Sequence, residues 1–542
     1  MSGHIQKILR NAGLTAVLLL SPVFSYAQTQ IELFDIDRFK VTGNTLVDSD
    51  EIDAILRPYT GKQREYADIQ AAIESLRQYY RDKGYSVVWV VAPEQDLDQG
   101  SVNLHVIEAL LGNVSITNNR YFDTENVRNS LPTLQEGVAP RAMDIAEDIQ
   151  FANESPSKQV DVILRPGTQA GVVDATIDVI DVRPLKAFLT FDNTGNPQTG
   201  DYRLGLGVQH SNLFNRDHVG TLNFSTSPEK QDQVRLYSGS YRLPMYNLGN
   251  SMDFILAYSD VSIGTTPTVA GPLNFTGKGA YLGMRFNQLL RRRGEYSHRL
   301  VYGIDYRAFE NDCTLGVFGD AACGPAAVDV TVMPVSVVYR GNWAKPTLIS
   351  DFYIALSRNI PGAANGKNED FNAARASPLG EEGASSNYLI LRLGANMVNA
   401  YNNNWQTRIA VNAQYSPDAL VPGEQFGIAG ATAVRGFLER EIVRDSGVIG
   451  NLELYTPNLA GKLIPGESNV RGLVFLDIAG AVNQTLAGES RERTLISSLG
   501  AGLRWNSKRN FNLRFDLGRI MRAAGDNQAG DWRGHISVFL SY

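Results

Sequence analysis

The sequence predicts two α+β repeats followed by a 16-stranded antiparallel transmembrane β-barrel. Three observations predict it. The last strands alternate apolar with polar residues up to the terminal Tyr542. The connections between strand candidates alternate long with short. A β-α-α-β-β order occurs twice ahead of the strands.

The N-terminus reads as a secretory signal over residues 1–27. Lys7 and Arg10 give a basic start, Gly13 to Leu20 an apolar run, and Ser25-Tyr26-Ala27 a small-x-small cleavage site. Cleavage before Gln28 would remove two cations and no acid from a chain of formal charge -7. An acidic exported product argues against nucleic acid as a partner. Beyond this segment no run of about 18 apolar residues predicts a membrane-crossing helix, and the mean hydropathy is only -0.19. Barrels escape such a search because only alternate residues are apolar.

The first repeat spans about residues 28–110. Phe39 to Thr42 reads as a strand that stops at Gly43-Asn44. Ser49 can cap a helix carrying Ile52, Ile55 and Leu56. Ile69, Ile73, Leu76 and Tyr80 place a second helix. Gly84-Tyr85 opens a strand through Val87–Val91, and Val102, Leu104 and Val106 alternate in a last strand. The order returns about 75 residues on, over 111–183, with strands near Val114, Val160 and Val173 and helices marked by Val127 and Ile145. Mixed sheets of this kind leave edge strands, which can add an extended peptide by backbone hydrogen bonds.

From 184 to 542 sixteen strand candidates follow. They lie near 186–194, 202–211, 218–226, 233–242, 252–260, 277–288, 298–309, 330–341, 350–358, 387–397, 405–415, 447–456, 471–480, 496–505, 511–520 and 533–542. Most have the roughly 9–11 residues that a tilted strand takes to cross a bilayer. In the last two, Phe511, Leu513, Phe515 and Leu517 face one way, with Arg514 and Asp516 opposite; Ile536, Val538 and Leu540 repeat the pattern. Connections after odd strands run to about 30 residues and those after even strands mostly stay under ten. Outer-membrane barrels have long outside loops and short periplasmic turns, so the first strand rises from the periplasm and the repeats are periplasmic. Two soluble β-sandwiches are the alternative, and they leave the terminal aromatic unexplained. A closed barrel of this size encloses an aqueous channel.

Cys313 and Cys323 fall in an outside loop. An oxidising compartment makes a local disulfide the expected state, stabilising the loop by roughly 2–4 kcal/mol. The six histidines are scattered, and neither a G-x-S-x-G nor a phosphate-binding G-x-x-x-x-G-K-[ST] occurs. No catalytic residue, cofactor or metal is expected.

Residues 416–446, the longest connection, hold Val434-Arg435-Gly436-Phe437 and then Asp445-Ser446-Gly447. The thirteenth strand holds Phe475-Leu476-Asp477-Ile478-Ala479-Gly480. With the paired repeats, carried by Val41-x-Gly43-Asn44, Gly84-Tyr85 and Lys158-Gln159-Val160-Asp161-Val162, these motifs resemble the two-partner secretion transporters (TpsB). That family is related to BamA and carries POTRA domains before its barrel. Asp192-Asn193-Thr194-Gly195, followed by Thr199-Gly200, resembles the family's first hairpin. Arg444 stands where the family often has Gly, and Ala479 replaces the usual Gly of F-x-D-x-G.

The resemblance implies that the loop folds into the lumen and that Arg435 pairs with Asp477, with Gly436 allowing a tight backbone and Phe437 packing on the wall. Parity agrees independently: Val474, Leu476 and Ile478 form the lipid face, so Asp477 points inward. The resemblance further implies an outer-membrane pore of a Gram-negative bacterium that exports an unfolded TpsA-type exoprotein, adhesin- or haemolysin-like, without nucleotide. It implies Tyr542 as the signal read by the barrel assembly machinery. A BamA-like insertase is the alternative function, and a diffusion porin would not require the repeats. Many TpsB proteins plug the pore with an N-terminal helix. The ten or so residues between Gln28 and the first strand leave no room for one, so gating would fall to the longest loop.

Overall fold

The computed structural model describes residues 33–542 except 98, 198, 261–263, 269–270, 276–277, 311–327, 381, 464–467, 491 and 508–509. The signal segment 1–27, the residues just after it and the Cys313/Cys323 pair lie outside the described residues. The chain divides into one unit ending at Glu108 and a second beginning at Ala109.

In the first unit β1 (Arg38–Thr42) runs parallel to β3 (Ser101–Glu108), and β2 (Val88–Val91) pairs antiparallel on the other side of β3. Helices α1 (Ser49–Leu56) and α2 (Tyr66–Asp82) cover the sheet. Their apolar faces meet Val90, Val102, Leu104 and Val106, and Ile52, Ile69, Leu76 and Tyr80 are fully buried. Ser49 opens α1 as a helical residue; the N-cap position is Asp48, without a side-chain bond. The α2 start is secured from both sides, since Glu65 and Asp68 each accept from the other's backbone N–H. Gly84 ends it at φ +99°, where the Tyr85 N–H reaches the Tyr80 carbonyl (2.9 Å). Only glycine takes that conformation without strain. Glu108 closes the unit by accepting from the N–H groups of Thr45 and Leu46 (both 2.9 Å) and from the Tyr80 hydroxyl (2.8 Å).

The second unit begins with the same topology. β4 (Leu110–Thr117) is parallel to β6 (Val172–Asp181), β5 (Lys158–Pro166) is antiparallel to β6, and α3 (Thr124–Asn129) and α4 (Ala142–Ala152) intervene. Sixteen strands follow and close on themselves. They are β7 (Leu185–Asp192), β8 (Arg203–Leu213), β9 (His218–Thr226), β10 (Arg235–Met245), β11 (Asn250–Asp260), β12 (Lys278–Arg293), β13 (Tyr296–Glu310), β14 (Pro334–Ala344), β15 (Leu348–Asn359), β16 (Leu389–Ala400), β17 (Gln406–Tyr415), β18 (Ser446–Tyr455), β19 (Ser468–Val482), β20 (Arg493–Ser507), β21 (Phe511–Arg522) and β22 (Trp532–Ser541). A short segment, Val330–Val332, continues β14 upward along β13. The break falls at Met333-Pro334, because proline has no N–H for the ladder; the Met333 N–H goes to the Asn359 side chain instead (2.6 Å).

Parity holds around the wall. Leu222 is 64% and Leu256 60% exposed on the outer face, as lipid-facing side chains are. Asp253, Asp305, Asp477 and Asp516, on the inner face, are nearly inaccessible. The even-numbered connections are mostly tighter than the sequence suggests, because several strands run on beyond the apolar band. β12 extends to Arg293, and its charged Arg291-Arg292-Arg293 end hides the strand from a pattern search. Within this unit the second repeat is fastened to the short-turn end. Lys158 Nζ meets Asp217 of the 214–217 turn at 2.6 Å, with both side chains inaccessible, and Tyr246 donates to the same carboxylate (2.6 Å).

Candidate functional site: the loop inside the barrel

The connection between β17 and β18 turns back into the lumen. Phe426–Gly427 pairs with Val443–Arg444, and the Ile428 N–H reaches the Ile442 carbonyl (3.0 Å). Ile428, Val434 and Phe437, all 0% exposed, pack with Ile449, Ala479, Ile496 and Ile520 of the wall. The Ala479 methyl, where the family motif has glycine, is absorbed into this cluster.

At the tip the Arg435 guanidinium forms a fork on Asp477. Nε donates to Oδ2 and Nη2 to Oδ1, each at 2.7 Å, and the Arg435 backbone N–H adds a third bond to Oδ2 (3.1 Å). Nη1 turns the other way to Glu453 Oε1 (2.7 Å), and Asp516 stands 3.5 Å off. The guanidinium carbon lies 3.5 Å from the centre of the Phe475 ring. Arg435, Glu453, Asp477 and Asp516 are all at most 1% exposed. Asn451 steadies Asp477 by donating to Oδ1 (2.8 Å) and anchors the loop through the Ala433 carbonyl (2.8 Å). One buried cation thus answers three buried carboxylates, with Arg408 sharing Glu453 and Arg504 and Arg514 sharing Asp516. Bidentate charge-assisted bonds of this kind define one geometry and are strong.

Gly436 follows at φ +101°, and its N–H donates to His535 Nε2 (2.9 Å), so that nitrogen is unprotonated there. Opposite it, Gly518 of β21 lets the two backbones touch: a Cβ on Gly518 would sit 3.0 Å from the Gly436 nitrogen. At the root of the loop Asp445 is fully buried. It accepts from Arg375 (2.7 Å), the Leu420 N–H (3.1 Å), Gln425 (3.0 Å) and the Gln484 N–H (2.8 Å), tying three outer loops together.

The first-hairpin residues lie elsewhere, at the outer end of the closing seam. Asp192 accepts from the Thr194 N–H (3.0 Å). Asn193 bonds the Gly534 carbonyl (2.8 Å) and the Ile536 N–H (2.9 Å) of the last strand. Gly195 lies against the Gly200 carbonyl and leaves no room for a side chain. At the inner end Tyr542 exchanges two backbone bonds with Ala187 (2.8 and 3.0 Å) and projects its ring outward. Sequence reasoning missed Asn451, Glu453, Asp516, Gly518 and His535. Inward parity marks all five as lumen positions, but nothing local selects them from the other lumen-facing residues.

A haemolysin secretion/activation protein model, ShlB/FhaC/HecB, matches residues 174–505, and a ShlB-type POTRA domain model matches residues 34–109. The heme/hemopexin transporter protein HuxB of Haemophilus influenzae is 26% identical over 39% of this chain, and the chain spans 36% of that relative's length. The outer membrane transporter CdiB of Dickeya dadantii (strain 3937) is 22% identical over 82% of this chain and 75% of its own length. The solved CdiB from Escherichia coli shares the fold with a TM-score of 0.77 at 19% identity, covering 97% of this chain and 94% of that one. With well over half of its residues matched, the chain belongs to the ShlB/FhaC/HecB family of haemolysin secretion/activation proteins.

Proposed function

We propose that the chain is the outer-membrane pore of a two-partner, type V secretion system. Its two POTRA-type units, 28–110 and 111–183, hang in the periplasm and take up an unfolded exoprotein through their sheet edges. The barrel, 184–542, carries that client to the cell surface as an extended chain. No nucleotide takes part; folding of the client outside removes it from the unfolded pool and biases its diffusion outward. The client is a TpsA-type exoprotein, adhesin- or haemolysin-like, and the other partners are membrane lipid and the barrel assembly machinery that reads Tyr542. Nucleic acid and catalysis have no part in this reading.

One observation carries it. The lumen holds a loop whose tip is fixed by ions and hydrogen bonds, centred on Arg435 and Asp477. Ile428, Val434 and Phe437 add apolar packing on the wall, but the charged groups at the tip are ones that water can solvate once the loop moves out. A wall of sixteen strands then leaves an aqueous path. The test is the proteome of the culture medium and outer membrane with and without the gene. Loss of one or a few large exoproteins, with outer-membrane barrels at normal levels, supports secretion. General loss of outer-membrane barrels would mark an insertase.

A further inference from the structure

The inner wall near the short-turn end carries an arginine pair that no role above absorbs. Arg299 on β13 and Arg340 on β14 stand directly opposite each other in register, both inward by parity. Like charges placed so are destabilising. Arg299 is neutralised from outside the barrel wall: Glu154, just past α4, sets its Oε1 at 2.5 Å and its Oε2 at 3.4 Å from the two Nη atoms. The same carboxylate lies 3.8 Å from Arg242. Arg340 is exposed to the lumen and, among the described residues, makes no hydrogen bond and no ion pair. The nearest barrel acids are committed elsewhere. Asp253 is held by Arg242 (2.8 Å) and Asn287 (2.9 Å), and Asp351 accepts from Asn396 (3.0 Å).

We propose that Arg299 and Arg340 form a carboxylate-binding subsite for acidic residues of the extended client, and that Glu154 occupies half of it in the resting protein. The inference rests on the secretion reading and adds the class of client side chain recognised at the periplasmic mouth. Two adjacent forks suit one or two carboxylates on a passing strand, since guanidinium matches carboxylate geometry in pairs of bonds. Glu154 belongs to the second repeat, which leads directly into the barrel wall. Displacing it frees Arg299, and the client's acid takes its place next to Arg340. The exchange swaps one ion pair for another, so it opens the mouth without stranding a charge.

The test uses the full chain in lipid nanodiscs and a fluorescent oligoglutamate peptide, with oligolysine as control. Glu154→Gln removes the internal competitor and should tighten oligoglutamate binding about tenfold, within the usual range for two coupled ligands. Arg340→Gln touches no contact of the resting protein, so it keeps the fold; in the Glu154→Gln background it should weaken binding at least about tenfold, as expected for losing bonds to a charged group. Binding that ignores Glu154→Gln or Arg340→Gln overturns the proposal. So does inorganic phosphate competing as well as the peptide at equal charge, which would make this a free-anion site. Client export is scored alongside. Export intact with arginine-independent binding defeats the subsite alone, whereas arginine-dependent binding without export in any background supports the subsite and defeats the secretion reading.

Discussion

Replacing Arg435 by alanine should free the loop that stands in the lumen. The substitution removes the fork on Asp477 and the bond to Glu453. It also leaves those two carboxylates and Asp516 buried without their shared cation. Breaking a buried pair from one side costs about 3–5 kcal/mol. The released loop lets the carboxylates hydrate, so the shift between packed and released loop should lie near the lower figure, about 3 kcal/mol, or roughly 100-fold in the equilibrium. Hydrogen exchange on the full chain in nanodiscs reads this directly. The Ile428, Gly430 and Val434 amides donate only within the loop, to Ile442, Val434 and Ile428. They should exchange roughly 100-fold faster in Arg435→Ala if exchange follows local opening. Amides of β11, across the barrel, are the control and should not change. Arg435→Lys, which keeps the charge but not the fork, should fall between. Unchanged loop exchange in Arg435→Ala would refute the reasoning, as would an equal rise in β11, which would mean that the barrel itself had loosened.

Other consequences follow from the same contacts. Gly518→Ala places a Cβ 3.0 Å from the Gly436 nitrogen and 3.1 Å from the Arg435 carbonyl carbon, both backbone atoms; loop amides should deprotect although every charged partner remains. Lys158→Met leaves Asp217 buried with only neutral donors, so the second repeat should loosen from the barrel by about 3–5 kcal/mol, read as faster exchange across α3 and α4. Burial opposes the charge on Glu108, but hydrogen bonds from Thr45, Leu46 and Tyr80 outweigh it and hold its pKa below the usual 4.5. A carboxylate so lowered stabilises the first repeat fully above about pH 4.5 and loses that contribution as pH falls through its folded value. The acid transition of α2 exchange should therefore be blunted in Glu108→Gln and present in the wild type. Asn193→Ala cuts two bonds across the closing seam, and the barrel should convert to the unfolded gel form at a lower temperature.

Much of this arrangement could be read from the chain because its signals are local. Parity is a property of adjacent residues, so Asp477 could be turned inward before its partner was known. Arg435 lies on a loop whose position depends on neither parity nor length, and only the paired motifs joined it to Asp477. Glu453, Asn451 and Asp516 complete the site through the register of β18, β19 and β21, which hydrogen bonds between strands set and which no single strand encodes. Gly518 looked like an ordinary strand residue, since the demand on it comes from a backbone that approaches from 82 positions upstream. The β12 end was hidden for the opposite reason: Arg291 to Arg293 are polar on both faces and leave no alternation to follow. Arg291 instead meets Asp144 (3.2 Å) and Glu147 (2.9 Å) of α4.

The central claim is that a protein client passes where the Arg435 loop now sits, and client export by Arg435→Glu tests it most directly. A fourth acid among Glu453, Asp477 and Asp516 cannot keep the loop in place or let it return. The account predicts normal amounts of heat-modifiable barrel in the outer membrane and loss of the exoprotein from the medium. Asp477→Arg combined with Arg435→Asp should restore export in part, because Glu453 still faces an acid at 435. Wild-type export by Arg435→Glu, in a protein that has reached the membrane, would contradict it.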